Sequence, residues 1–175
     1  FGLMMVNTGE ADAMVTGHSR SYPSTIKPVM ELIGKAPGVS KIATTNMMMT
    51  SRGPIFLSDT AINPNPTADD LARIALMTAK TVRMFGMEPV IAMVSFSNFG
   101  SSHNEGPNKV RQAVAYLHEN FPDLIVDGEI QTDFALNPEM LKSKFPFSKL
   151  VNKKVNTLIF PNLDAANITY KLLKE

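Results

Sequence analysis

The chain has 175 residues, of which 44% are hydrophobic, and a formal net charge of +1; it contains 12 prolines, 12 methionines and no cysteine. That is apolar material for one sizeable core. The near-neutral charge argues against a nucleic-acid binder, which carries a clustered basic face, and the missing cysteines exclude disulfides, thiolate catalysis and Cys-ligated zinc.

No apolar run approaches the roughly 20 residues of a membrane span, and no signal peptide opens the chain. A cytoplasmic setting is expected. A first residue of Phe rather than Met reads as the start of an excised fragment.

Taken in chain order, residues 13–16 look strand-like and 24–33 helical. Gly34 and Gly38, with Ala36-Pro37 between them, punctuate the chain as a domain joint would. Residues 42–49 read as a strand, and its Met47-Met48-Met49 run fits burial on both faces. A second strand is expected at 55–57. The stretch Ile62-Asn63-Pro64-Asn65-Pro66 must be extended and rigid, because proline restricts itself and the residue before it.

Thr67 then caps a helix with Asp69 and Asp70 in its first turn, Lys80 and Arg83 near its far end, and Gly86 closing it. These choices satisfy end groups and oppose the helix dipole. Leu71, Ile74, Ala75, Val82 and Phe85 form its apolar stripe. Residues 90–94 form a short apolar strand and 95–106 a polar loop. A helix at 107–121 carries Val110, Ala113, Val114, Leu117 and Phe121 on one stripe, and Pro107 suits its first position. A strand at 124–126 completes a βαβ unit. Phe145-Pro146-Phe147 lies in an irregular segment that covers the core first and packs at an interface second. A strand at 158–160 and a helix at 165–173 end the chain. The sum is a three-layer α/β/α fold with a mostly parallel sheet.

Ligands of such sheets bind beyond the carboxyl ends of strands. The loop Ser95-Phe96-Ser97-Asn98-Phe99-Gly100-Ser101-Ser102 follows a strand and precedes a helix. It reads either as a polar loop that caps the helix or as an anion cradle built from small side chains and unpaired N–H groups. Arg20 and Lys27, with Ser19, Ser21, Ser24 and Thr25 between them, are surface charges or a pair that meets a phosphate. Walker spacing and a dinucleotide fingerprint are both missing, as is a nucleophile elbow. His18, His103 and His118 have no ligand spacing, so no metal site is expected, and His118 falls on the outer face of its helix. Asp59, Asp127 and Asp133 are turn or cap residues first and bases second.

Several segments together resemble the phosphate acetyltransferase family. They are Ala11-Asp12-Ala13-Met14-Val15-Thr16-Gly17, Thr25-Ile26-Lys27-Pro28, Asp59-Thr60-Ala61-Ile62-Asn63-Pro64-Asn65-Pro66-Thr67-Ala68, Glu88-Pro89-Val90-Ile91-Ala92-Met93-Val94-Ser95, Asp123-Leu124-Ile125-Val126-Asp127-Gly128-Glu129-Ile130-Gln131 and Phe160-Pro161-Asn162-Leu163-Asp164-Ala165-Ala166-Asn167. They run in the family's order along nearly the whole chain. Arg20-Ser21-Tyr22-Pro23, Ser97-Asn98-Phe99-Gly100-Ser101 and Pro146-Phe147-Ser148 look like the family's branch at the C-terminal end of large NADP-linked malic enzymes.

The resemblance implies an isocitrate/isopropylmalate dehydrogenase-like (phosphotransacetylase-like) fold of two subdomains around a ligand cleft. Residues 1–38 would be the tail of the first, 39–165 the second, and 166–175 the start of a return to the first. It implies a binding site for acetyl-CoA or a related CoA thioester, with Arg20, Lys27, Asn63, Ser95, Ser97, Asn98, Gly100, Ser101, Asn162 and Asn167 as its residues. Lys27 stands where the family has an arginine, and a lysine lacks the bidentate fork. The family's catalytic Ser-Arg segment is expected beyond Glu175, so no catalytic residue is assigned in this chain. NADP and a divalent metal would belong to the parent's malic-enzyme domain, which would be this region's partner within a homo-oligomer. The alternative is a fragment of a true phosphate acetyltransferase. A decarboxylating dehydrogenase of the isocitrate class would need a carboxylate-metal constellation that the chain lacks.

Overall fold

The computed structural model describes residues 1–17 and 21–175 and divides into two compact units, residues 1–42 and 43–175. The first unit holds two helices, α1 (Gly2–Thr8) and α2 (Tyr22–Leu32). Pro23 lies in the first turn of α2, where its missing N–H costs no bond, while Pro28 sits inside the helix. No residue of either helix is buried. Residues 13–16, expected as a strand, form no regular element.

The second unit is a five-stranded mixed sheet flanked by helices on both faces. Its strands are β1 (Thr45–Thr50), β2 (Gly53–Ser58), β3 (Val90–Val94), β4 (Ile125–Ile130) and β5 (Thr157–Ile159), in the order β1-β2-β5-β3-β4. β1 pairs antiparallel with β2, and the other three pairings are parallel. The helices are α3 (Ala68–Met84), α4 (Glu105–Asn120), α5 (Thr132–Leu136), α6 (Pro138–Lys144) and α7 (Leu163–Lys174).

Strand alternation builds two cores. Ile91 and Met93 of β3 join Val126 and Ile159 under Leu71, Ile74 and Ala75 of α3 and Val110, Val114 and Leu117 of α4. Val90, Ala92 and Val94 face the opposite way, with Leu57, Leu158 and Ile130, and are covered by Ala135 of α5, Leu141 of α6 and Ala166 of α7. A fully apolar β3 is the expected signature of a strand buried on both faces.

Sequence periodicity overreached in four places. The methionine run is not doubly buried: β1 is an edge strand, leaving Met47 41% and Met49 73% exposed while Met48 packs inward. Phe85 and Phe121 lie just past the ends of α3 and α4 and are exposed, because the stripe stops with the helix. Pro107 is the third residue of α4 rather than the first, since Asn104 is the N-cap; its missing N–H would have had no helical partner there either. His118 turns toward β4, with Nε2 2.8 Å from the Val126 carbonyl, rather than lying on the outer face.

Other local rules hold. Thr67 accepts from Asp70 N while Asp70 accepts from Thr67 N, a reciprocal cap at the start of α3. The 145–147 segment packs Phe145 against Phe99 and Phe134, and Phe147 against Phe99 and Phe145.

Candidate functional site

Neighbouring strands β5 and β3 send their following helices to opposite faces: α4 packs in one core and α7 in the other. A crevice opens at the carboxyl ends of two such strands. There the second unit carries a pocket of about 220 Å³, lined by Ser95 and Phe96 after β3, Pro161 and Asn162 after β5, Asn65 after β2, and Glu105, Gly106, Pro107 and Lys109 of α4.

Lys109 is the pocket's cation. Its Nζ donates to Asn65 Oδ1 at 2.6 Å. Burial holds its ammonium below the usual lysine range, against a small upward pull from Glu105. The N-cap Asn104 makes no side-chain capping hydrogen bond, so the first turn of α4 lacks a side-chain cap at the pocket's edge. Phe96 presents an exposed ring beside it. The arrangement offers a cation, helix-end N–H groups and an aromatic face to one small anionic ligand.

The 95–102 loop is tied down rather than open. Ser95 N donates to Ile130 O, Phe99 N to Glu129 O, Gly100 N to Glu129 Oε1 and Ser101 N to Asn98 O. Ser97 Oγ donates to Glu129 Oε1 at 2.9 Å, and Asn98 exchanges two bonds with Gln131. Asn98 N donates to Ser101 Oγ. Ser97, Asn98, Gly100 and Ser101 therefore shape the loop, and most of the N–H groups expected to be free for an anion are already paired. Ser95 at the loop's start lines the pocket.

A second scaffold supports the Asn65 wall. Asp59 accepts from Thr44 N and Oγ1, Ala61 N and Ile62 N on one oxygen, and from Asn63 N and Nδ2 on the other. Burial alone would raise the Asp59 carboxyl, but the hydrogen bonds from Thr44, Ala61 and Asn63 outweigh it and hold its pKa below the ordinary value of 3.8. Asn167 Nδ2 donates to Thr60 O, and Asn162 caps α7 by accepting from Ala165 N. Asn63 and Asn167 thus hold the wall, while Asn162 also lines the pocket. Asp127 is likewise a scaffold residue, accepting from Ser148 Oγ, Lys149 N and Gly128 N.

Lys27 belongs to the first unit, exposed on α2 and 3.9 Å from Glu31. Such an exposed pair contributes little. Arg20 lies outside the described residues. The residues that sequence reasoning missed are Asn65, Glu105, Lys109, Arg111 and Glu129. Lys109 and Arg111 did carry a signal: two cations in the first two turns of a helix lie toward the positive end of its dipole, an unfavourable placement.

The family model described as "Phosphate acetyl/butaryl transferase" matches residues 1–175. The chain is 40% identical to an NADP-dependent malic enzyme of Haemophilus influenzae over 97% of this chain and 22% of that protein. It is 39% identical to a phosphate acetyltransferase of Acetivibrio thermocellus over 98% of this chain and 54% of that one. Its structure is similar to a phosphotransacetylase from Streptococcus pyogenes, with a TM-score of 0.89 and 39% identity, over 99% of this chain and 53% of that chain. The chain spans less than a quarter of the length of that malic enzyme and about half that of the A. thermocellus acetyltransferase and the S. pyogenes phosphotransacetylase. The match of the whole sequence to one family model, together with the shared fold, places the chain in the phosphate acetyl/butaryl transferase family.

Proposed function

We propose that this region binds acetyl-CoA, or a closely related CoA thioester, and regulates malate decarboxylation by a malic-enzyme domain of the same protein. The observation that carries the reading is the pocket at the carboxyl ends of β3 and β5, where Lys109, the start of α4 without a side-chain cap and the exposed Phe96 ring meet. CoA brings phosphates for the first two and an adenine ring for the third. Similarity to NADP-dependent malic enzymes over nearly the whole chain supports the regulatory half. Arg20 and Lys27 are assigned to CoA phosphates by the same reading, with NADP and the divalent metal left to the malic-enzyme domain.

The test uses the full-length protein. Added acetyl-CoA is expected to suppress malate turnover, with no acetyl phosphate formed from acetyl-CoA and phosphate. Lys109→Gln should raise the acetyl-CoA concentration needed by about tenfold, the loss of one well-placed charge contact worth about 1.4 kcal/mol. Robust acetyl-phosphate synthesis would instead make the region a working acetyltransferase, and unchanged inhibition by the variant would remove Lys109 from the site.

A further inference from the structure

We infer that Glu129 is a positioning residue that fixes both walls of the pocket at once, the 95–102 loop directly and α4 through Arg111. The identity of the ligand rests on the acyl-CoA reading; the positioning role rests on geometry.

The arrangement begins with a bulge. Met93 pairs with Gly128 and Val94 with Ile130, so Glu129 is the extra residue of β4. Bulges redirect side chains, and this one brings Glu129 to the 95–102 loop, where it is 0% exposed. Its Oε1 accepts from Ser97 Oγ at 2.9 Å, Gly100 N at 2.9 Å and Arg111 Nη1 at 2.8 Å. Its main-chain oxygen accepts from Phe99 N at 2.8 Å. Phe99 and Gly100 have φ of 44° and 93°, and a non-glycine residue in the left-handed region needs such support.

The second wall joins at the same atom. Arg111 lies two residues past Lys109 on α4, and its Nη1 also donates to Ser102 O at 2.9 Å. Ser97 and Gly100 of the loop and Arg111 of the pocket helix all converge on one carboxylate oxygen, and Arg111 ties in the loop's end at Ser102. The other oxygen, Oε2, is buried with no donor among the described residues. A buried carboxylate with one cation and an unmatched oxygen is a poor stabiliser against an apolar replacement. Its contribution is the fixed geometry of what it joins.

The test compares Glu129→Gln, Arg111→Gln and the double variant in the full-length protein, by amide exchange and by acetyl-CoA titration. Glu129→Gln should speed exchange in residues 97–102 by about tenfold while the amides of β3 stay protected. It should weaken acetyl-CoA binding by about tenfold without a matching fall in melting temperature. The double variant should be no weaker in binding than the worse single variant, because both residues act as one unit. An unchanged loop would overturn the inference, as would lower stability with normal affinity in the folded protein. Should Glu129→Gln fail to fold, Arg111→Lys carries the same comparison, since it keeps the charge and gives up the planar fork. If the wild-type protein does not bind acetyl-CoA at all, the ligand reading fails separately, and loop exchange alone then decides the role of Glu129.

Discussion

Gly128→Ala should be the most damaging single-methyl change in the second unit. A Cβ at this position would sit 2.4 Å from the Met93 carbonyl oxygen and 3.1 Å from Met93 Cβ, and the backbone has φ of 145°. Neither obstacle is a flexible side-chain tip: β3 is an interior strand of the sheet, held between β5 and β4. Overpacking against backbone in a left-handed conformation that an L side chain rarely adopts should cost about 3 kcal/mol or more. The bulge would have to shift, and Glu129 would leave the 95–102 loop with it. Urea unfolding of the full-length protein, read through amide protection in β3 and β4, checks this. A loss below about 0.5 kcal/mol, the range of neutral surface changes, would contradict the close approach.

Asp59→Asn should follow closely, at about 3 kcal/mol. The change is nearly isosteric, but it replaces one acceptor oxygen with an NH₂ group that faces donors. Either the Thr44, Ala61 and Ile62 donors or those of Asn63 would lose their partner in a buried setting. Buried donors left unpaired cost about 1–3 kcal/mol each. The wild-type carboxylate should also leave a pH signature. Its folded pKa is lowered below 3.8, so its contribution is present above the unfolded value and is lost as pH falls through the folded value. The stability gap between wild type and Asp59→Asn should therefore narrow as pH drops below about 3.8. A gap that stays constant from neutral pH into that range would mean that Asp59 is not held as a hydrogen-bonded anion.

The two-sided core was legible because its signals are local. The apolar 90–94 run, the caps at Thr67 and Gly86, and the stripe of Leu71, Ile74 and Ala75 each follow from periodicity or end chemistry. The edge position of β1 was not legible, because a run of three methionines fits a buried strand equally well and strand order is set by long-range pairing. α5 and α6 are too short, at 5 and 7 residues, to leave a periodic stripe. For the pocket, the sequence pointed to the 95–102 loop for its polar side chains, and the structure gives that polarity another use. Ser97, Asn98 and Ser101 and the Gly100 N–H bind Glu129, Gln131 and one another, while the pocket draws on Ser95, Phe96 and α4. Glu129 was invisible because a bulge changes the face of one residue without changing composition. Asp59 read correctly as a turn residue, although the number of donors it collects depends on Thr44, fifteen positions away.

Regulation by an acyl-CoA requires that the ligand occupy the crevice between the ends of β3 and β5. Amide hydrogen exchange on the full-length protein, with and without saturating acetyl-CoA, measures that directly. Protection is expected to rise at residues 95–96, along the first turn of α4 and at residue 162, and to need about tenfold more acetyl-CoA in Lys109→Gln. Acetyl-CoA that binds the protein and slows malate turnover while leaving these amides unchanged would place the effector elsewhere and contradict the assignment.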